Sequence, residues 1–296
     1  MAGKSDPFPR CARWQVSLTQ SIVPQATVVA VKVLSDQSMS EEALKEFRTE
    51  VTMMSKMRHP NVVLLMGICS SAPNLAIVTE YLARGSLYRL LHHTEVKLDD
   101  RRRVKMGIDI AKGMAYLHSA SPPIVHRDLK SPNLLVVRMH TRHTTPPLLH
   151  PVVNQRHVSP QDETFTVKIC DFGLARFKAD TFVATVNGCA GTPNYMAPEV
   201  LRNERFNEKA DVFSAGVVLW ELITRKEPYK GMAPLQVIAA VVFQGQRLPQ
   251  PTGCDPRLCD LIDRCWAPDP APRPSFFAVQ ENLQKIFEDL VRAHAQ

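Results

Sequence analysis

Between Gly3 and Gly67 the chain has no glycine, although the whole sequence contains 12. That gap excludes a glycine-rich loop ahead of residue 67, the device that lets a backbone approach a ligand without side-chain obstruction. Cysteine is scarce and unpatterned. Cys11, Cys69, Cys170, Cys189, Cys254, Cys259 and Cys265 are odd in number, scattered, and include no CxxC pair. A disulfide framework is therefore not expected, and the thiols suit a reducing compartment. No apolar run approaches ~18 residues, so no membrane span is expected. The opening MAGKSDPFPR lacks the apolar core of a signal peptide, and Ala2 stands where myristoylation needs glycine. A cytoplasmic location is the default expectation from these absences. No basic stripe with interleaved aromatics occurs, so nucleic acid is not an expected partner, and no internal repeat is found.

What is present is ordinary globular material: 296 residues, 45% apolar, 22% charged, formal charge +7. That length suffices for one large or two modest domains with a core. The positive charge is spread out, compatible with acidic partners or phosphates and equally with a solvated surface.

Trp14, Val16 and Leu18 alternate with polar residues and suggest a strand. Thr27 to Leu34 reads as a buried strand, and Val62 to Met66 and Leu75 to Glu80 as two more. A helix follows Ser40, its expected N-cap, with Glu41 and Glu42 in the first turn. Leu44, Phe47, Val51 and Met54 form its apolar stripe. Glu50 falls within that face. A buried carboxylate is costly unless paired, so Glu50 either meets a cation, with Lys32 the natural candidate, or lies at the edge of the face and reaches solvent. After Gly85 helices dominate. Val104 to His118 is amphipathic, Asp211 to Thr224 is apolar nearly all round, and Phe276, Val279, Leu283, Ile286, Phe287 and Leu290 stripe a C-terminal helix. The segment Val137 to Thr164 lacks periodicity and reads as a solvated, disordered loop. Its His140, His143, His150 and His157 are irregularly spaced without cysteine or carboxylate company, which favours a plain loop over a metal site.

The chemistry-bearing stretches are HRDLKSPN at His126 to Asn133, DFG at Asp171 to Gly173, APE at Ala197 to Glu199, and Lys32 in VVAVK. Asp128, Asn133 and Asp171 are oxygen donors of the kind Mg²⁺ prefers. Phosphoryl transfer needs such ions on the phosphates, a carboxylate at the incoming hydroxyl, and fixed charge around the transferred group. Together and in this order they match the protein-kinase signature set. With IVTEYLARGSLYRLLH, PPIVHRDLKSPNLLV and NEKADVFSAGVVLWEL, the chain resembles a eukaryotic protein kinase domain of the tyrosine-kinase-like group, nearest the Raf-like mitogen-activated kinase kinase kinases of plants and algae.

The resemblance spans about residues 27 to 290, the 137–164 insertion apart, and implies an α+β, two-lobed fold. Residues 1–26 would be an atypical N-terminal segment, 27–82 the rest of a small β-rich lobe with one helix and the hinge, and 83–292 a larger helical lobe. It implies a serine/threonine kinase using ATP and Mg²⁺ on a protein substrate, with a mitogen-activated kinase kinase as the suggested target. Asp128 would be the catalytic carboxylate, Lys130 would stand beside the γ-phosphate, and Asn133 and Asp171 would hold two Mg²⁺ ions. Lys32 would contact the α- and β-phosphates and pair with Glu50. Ala30 and Leu135 would sandwich the adenine, Thr79 would be the gatekeeper, and Glu80, Tyr81 and Leu82 the hinge. Lys130 and Thr192 favour Ser/Thr substrates. Met54, Leu65, His126 and Phe172 would form an apolar spine anchored by Asp211, and Glu199 would pair with Arg273. Arg127 would take a phosphate on Thr181 or Thr185, unless these are simply solvated threonines. Cys170 would face the ATP site as a small packing residue.

The departure is the missing glycine loop. Its place is held by SLTQSIVPQATVV, where side chains and Pro24 remove close backbone approach and one N–H donor. Three readings stand: an N-terminus altered by gene prediction or splicing, a working kinase that binds ATP weakly, and a pseudokinase scaffold. The abrupt onset near Thr27 and the odd insertion favour the first. The intact Lys32, Asp128, Asn133 and Asp171 are unlike most pseudokinases.

Overall fold

The computed structural model describes residues 28–33, 41–70, 75–139, 164–173, 175–177 and 192–294. Its first lobe is built on the β-branched run β1 (Val29–Val33), which pairs antiparallel with β3 (Ala76–Glu80), Ala30 opposite Thr79 and Lys32 opposite Ile77. β2 (Leu65–Cys69) takes the other side of β3, giving the order β1-β3-β2. The expected strand at Val62 to Met66 is thus displaced toward the C-terminus. Val62 and Val63 are buried at 2% and 3% exposure, but beneath the other lobe rather than in this sheet. There, Asn61 O accepts from Ile169 N–H at 2.9 Å, Val63 N–H donates to Ile169 O at 2.9 Å, and Asn61 Nδ2 donates to Val167 O at 2.9 Å. These bonds tether the small lobe to the hairpin of the large one.

α1 (Glu41–Lys56) lays Glu50, Met53 and Met54 on its buried face, with Phe47 and Val51 packed partly against the core, and Met57 is buried just past its end. Its expected cap Ser40 lies outside the described residues, as do Trp14 to Leu18 and Leu34.

In the second lobe α2 (Leu87–His92) and α3 (Asp100–His118) begin at side-chain caps. Ser86 Oγ accepts from Arg89 N–H and Asp99 Oδ1 from Arg102 N–H, satisfying amides that a helix start leaves orphaned. α3 packs on α8 (Phe276–His294) and on the hairpin β5 (Leu134–Met139) and β6 (Thr164–Ile169). Gly113 allows the hairpin contact: a Cβ there would stand 2.6 Å from Ile169 Cδ1 and 2.7 Å from the Asn61 carbonyl. α5 (Lys209–Thr224) is buried from Ala210 to Ile223, as its all-round apolar sequence demands. The short pair β4 (Ile124–Val125) and β7 (Arg176–Phe177), then α4 (Pro198–Leu201), α6 (Pro234–Val242) and α7 (Pro256–Cys265), complete the described elements.

The hairpin corrects one boundary. Pairing runs from Leu134–Ile169 to Met139–Thr164, so Val137 to Met139 and Thr164 are strand rather than loop. Val137, a β-branched residue suited to a strand, stands opposite Thr166. Residues 140–163, with His140, His143, His150 and His157, lie outside the described residues. Cys254 and Cys259, separated by 5 in sequence, are joined at the entry to α7, the one such pair among the described residues. Among the described residues no helix is long and apolar enough to cross a membrane.

The lobe's deepest ion pair is Glu199 with Arg273. Arg273 Nη1 and Nη2 donate to Glu199 Oε1 and Oε2 at 2.6 and 2.9 Å, with Arg273 1% exposed. The guanidinium further donates to the carbonyls of Ala267, Pro268 and Lys209, so the buried charge is fully engaged.

Candidate active site

Lys32, Glu50 and Asp171 come from three elements and meet at one point. Lys32 Nζ donates to Glu50 Oε1 and Oε2 at 2.9 and 2.8 Å and to Asp171 Oδ1 at 3.2 Å. Glu50 is 5% exposed, which resolves its two alternatives in favour of the buried, paired one. Burial by itself would push the Lys32 ammonium down, but the charges of Asp171 and Glu50 outweigh it and hold its pKa above the ordinary lysine value. Asp171 is the mirror case: burial would raise it, and Lys32 holds it below the usual carboxylate range.

Asp128, Lys130 and Asn133 sit on the turn that links β4 to β5. Asn133 Nδ2 donates to the Asp128 carbonyl and to Asp128 Oδ2, each at 2.9 Å. Lys130 Nζ lies 2.8 Å from Asp128 Oδ2 and donates to Thr192 Oγ1 at 3.1 Å. The Asp128 carboxylate is therefore held from two sides. The turn needs a left-handed residue, Arg127 at φ 71°, a conformation costing about 1–2 kcal/mol for a non-glycine residue. Asp211 on α5 stabilises it, accepting the backbone N–H of His126 and of Arg127 at 2.8 Å each and facing His118 Nε2 at 2.9 Å. Burial would raise the Asp211 carboxyl, but the hydrogen bond and charge of His118 lead the effects that hold it low. Arg127 also places its guanidinium 5.4 Å from the Phe206 ring centroid.

His126 is 0% exposed and in hydrogen-bond contact at both nitrogens. Asp128 N–H donates to Nδ1 at 3.3 Å, so Nδ1 is bare and Nε2 carries the proton given to the Cys170 carbonyl at 3.1 Å. Phe172, also 0% exposed, meets the imidazole edge-on at 5.3 Å. Met54 and the partly buried Leu65 belong to the same hydrophobic core as Phe172. Cys170 is buried among carboxylates, and burial pushes its thiol up, which makes it a packing group rather than a nucleophile.

Of the residues expected around adenine, Ala30 faces Thr79 across the β1–β3 ladder, Leu135 bridges Ser86, and Leu82 is 9% exposed. Glu80 carries more than a backbone. Its carboxylate accepts from Leu64 N–H at 2.8 Å and from Lys168 Nζ at 2.7 Å, and its own N–H donates to Leu64 O. Sequence reasoning missed Lys168, whose alternation on β6 was the available signal. It also missed Glu221, a buried acid in the last turn of α5.

A hard cation would find suitable donors. Both Nδ2 protons of Asn133 point at Asp128, which turns its Oδ1 away, and Asp171 is held ionised. Two such oxygens would match the few protein ligands Mg²⁺ needs when phosphate and water complete its shell.

Residues 14–283 match the family model of protein tyrosine and serine/threonine kinases. The chain belongs to the protein kinase family. The family match begins at residue 14, within the glycine-poor stretch. This kinase is 50% identical over 260 residues to the "Probable serine/threonine-protein kinase SIS8" of Arabidopsis thaliana, covering 88% of this chain and 23% of that protein. It is 48% identical over 265 residues to "Serine/threonine-protein kinase CTR1" of the same plant, covering 89% and 29%. A third similarity is to "Probable serine/threonine-protein kinase drkD" of Dictyostelium discoideum, 42% identical over 252 residues, covering 85% and 17%. These relatives agree with the resemblance to Raf-like members of the tyrosine-kinase-like group. The chain spans about a quarter of the length of the two plant relatives.

Proposed function

We propose that this chain transfers the γ-phosphate of ATP to serine or threonine hydroxyls of a protein substrate. The observation that carries this reading is the Asp128 carboxylate, held by Asn133 and Lys130 while Lys130 also grips Thr192. Asp128 would orient the acceptor hydroxyl and take its proton as the new P–O bond forms. Lys130 would neutralise charge on the transferring group. Lys32, kept cationic by Asp171 and Glu50, would bind the α- and β-phosphates. Ala30, Thr79, Glu80, Leu82 and Leu135 would seat the adenine. Asn133 and Asp171 would hold Mg²⁺, which when bound offsets the phosphate charge.

The intact Lys32, Glu50, Asp128, Asn133 and Asp171 set supports catalysis over a scaffold role. The lack of glycine ahead of Lys32 is expected to weaken ATP binding, because close backbone approach to the phosphates needs it. A mitogen-activated kinase kinase is the proposed substrate class, on the strength of the Raf-like resemblance. Thr181 and Thr185, outside the described residues, are the proposed sites of an activating phosphate read by Arg127.

The test is transfer of labelled γ-phosphate from Mg²⁺–ATP to a generic protein substrate, with Asp128→Asn alongside. The expected loss is about 10²–10⁴-fold, the usual worth of a positioned general base, with nucleotide binding retained. Equal activity in the two proteins would overturn the assignment.

A further inference from the structure

Cys254 and Cys259 have no part in the chemistry described above, yet the fold brings their sulfurs together. Gly253, in the left-handed region at φ 74°, turns the loop ahead of α7. Asp255 then caps the helix. Its Oδ1 accepts from Arg257 N–H at 2.9 Å, and its carbonyl accepts from Leu258 N–H at 2.9 Å and Cys259 N–H at 3.3 Å. Cys259 is thereby held on the opening turn of α7, where Cys254, the residue before the cap, meets it. Both sulfurs lie 3.8 Å from one carbonyl oxygen, that of the buried Pro251. The two Cα atoms stand 7.1 Å apart, just past the usual span of a bridge, so the backbone shifts slightly as the bond forms or opens. Thr252 and Gly253 are exposed, which leaves the loop free to make that shift.

The other described cysteines are placed differently. Cys170 is 8% exposed and Cys265 0%. Burial pushes both thiols up, that of Cys265 to about 12, which leaves almost no thiolate to react. Cys69 is half-buried on β2, in the other lobe. Cys254 and Cys259 are half-buried too, but each has a second sulfur at hand. In the reducing compartment that the scattered cysteines suit, a bridge between reachable thiols is transient rather than structural. An accessible thiol beside a resolving partner is the arrangement that peroxide oxidises reversibly.

We propose that Cys254 and Cys259 form a reversible oxidation site, a dithiol that hydrogen peroxide closes to a disulfide and a thiol reductant reopens. One thiolate attacks a peroxide oxygen and becomes a sulfenic acid. The hydroxide that leaves takes up the proton the thiol gave away and departs as water. The second thiol attacks the oxidised sulfur, the S–S bond forms, and a second water leaves. Two electrons have then passed from the sulfur pair to one peroxide. A dithiol reductant returns them by exchange and leaves as its own disulfide.

The consequence is mechanical. Trp220 Nε1 on α5 donates to the Pro249 carbonyl at 2.6 Å, which holds the loop, and Arg257 Nη1 donates to Asp289 at 2.6 Å, which holds α7 to α8. The bridge adds a covalent tie between loop and helix and restricts the unfolded chain, so the oxidised protein is the more stable form. This site is independent of the kinase reading.

The test uses the full chain, reduced with dithiothreitol, freed of it, and exposed to hydrogen peroxide. The remaining thiols are alkylated with N-ethylmaleimide in urea and located by peptide mass. The expected result is joint loss of alkylation at Cys254 and Cys259, a linked peptide lighter by two hydrogens, and recovery of both thiols with dithiothreitol. Cys170 and Cys265 should be alkylated as in the untreated protein. The urea unfolding midpoint should rise on oxidation and return on reduction. In Cys254→Ser, Cys259 should stop at the sulfenic acid, trapped by dimedone, and the midpoint should no longer rise with peroxide. Peroxide that left both thiols open to alkylation, or carried each to sulfinic acid without a link, would overturn the proposal. A link from Cys259 to a different cysteine in the parent chain would overturn it as well.

Discussion

Lys130 and Thr192, 62 residues apart, are joined by a 3.1 Å hydrogen bond from the ammonium to the hydroxyl. The same ammonium is 2.8 Å from Asp128, so the threonine helps determine where the lysine sits beside the carboxylate. Thr192→Val deletes that bond while keeping the branched shape. Initial rates at saturating ATP and peptide should show kcat lower by about tenfold, and Thr192→Ser should lie within about twofold of the parent. A valine variant with full kcat would remove Thr192 from the reaction.

The Lys32–Glu50–Asp171 cluster makes a claim about stability as well as catalysis. Lys32→Met leaves Glu50 buried without its cation, a loss of about 3 kcal/mol when a buried pair is broken from one side. Urea unfolding should show the deficit in the single variant and much of it recovered in Lys32→Met with Glu50→Leu. Phosphate transfer should remain low in both. Recovery of activity in the double variant would mean that Lys32 acts only through packing.

Asp211 predicts a pH effect of known sign. Its pKa is depressed in the folded chain, so near the ordinary carboxylate value of about 3.9 the unfolded chain binds more protons. The stability it contributes is present above that value and is lost as pH falls through the folded pKa. Unfolding midpoints of the parent and of Asp211→Asn should differ most near neutral pH and converge below about pH 4. A gap that stayed constant with pH would assign the defect to shape rather than charge.

Much of this was legible in one sequence because it rests on local pattern. Glu50 announced its need for a cation by falling inside an apolar helical face, and α5 announced its burial by being apolar all round. Other features depend on contacts no window of sequence contains. Val62 and Val63 look like strand residues because they are buried, yet what buries them is Ile169. Val137 to Met139 joined an irregular insertion in the reading because their strand partners lie beyond it, from Thr164 onward. Cys254 and Cys259 are ordinary thiols until a turn brings them together. Glu221 was missed, because its three donors come from three distant places in the chain.

The small lobe touches the hairpin of the large one through two sets of bonds, Asn61 and Val63 with Val167 and Ile169, and Glu80 with Lys168. Lys32 with Asp171 at 3.2 Å, and Arg58 N–H with Tyr116 Oη at 2.9 Å, tie the lobes as well. A relative movement of the lobes would have to stretch these bonds along with the first two sets.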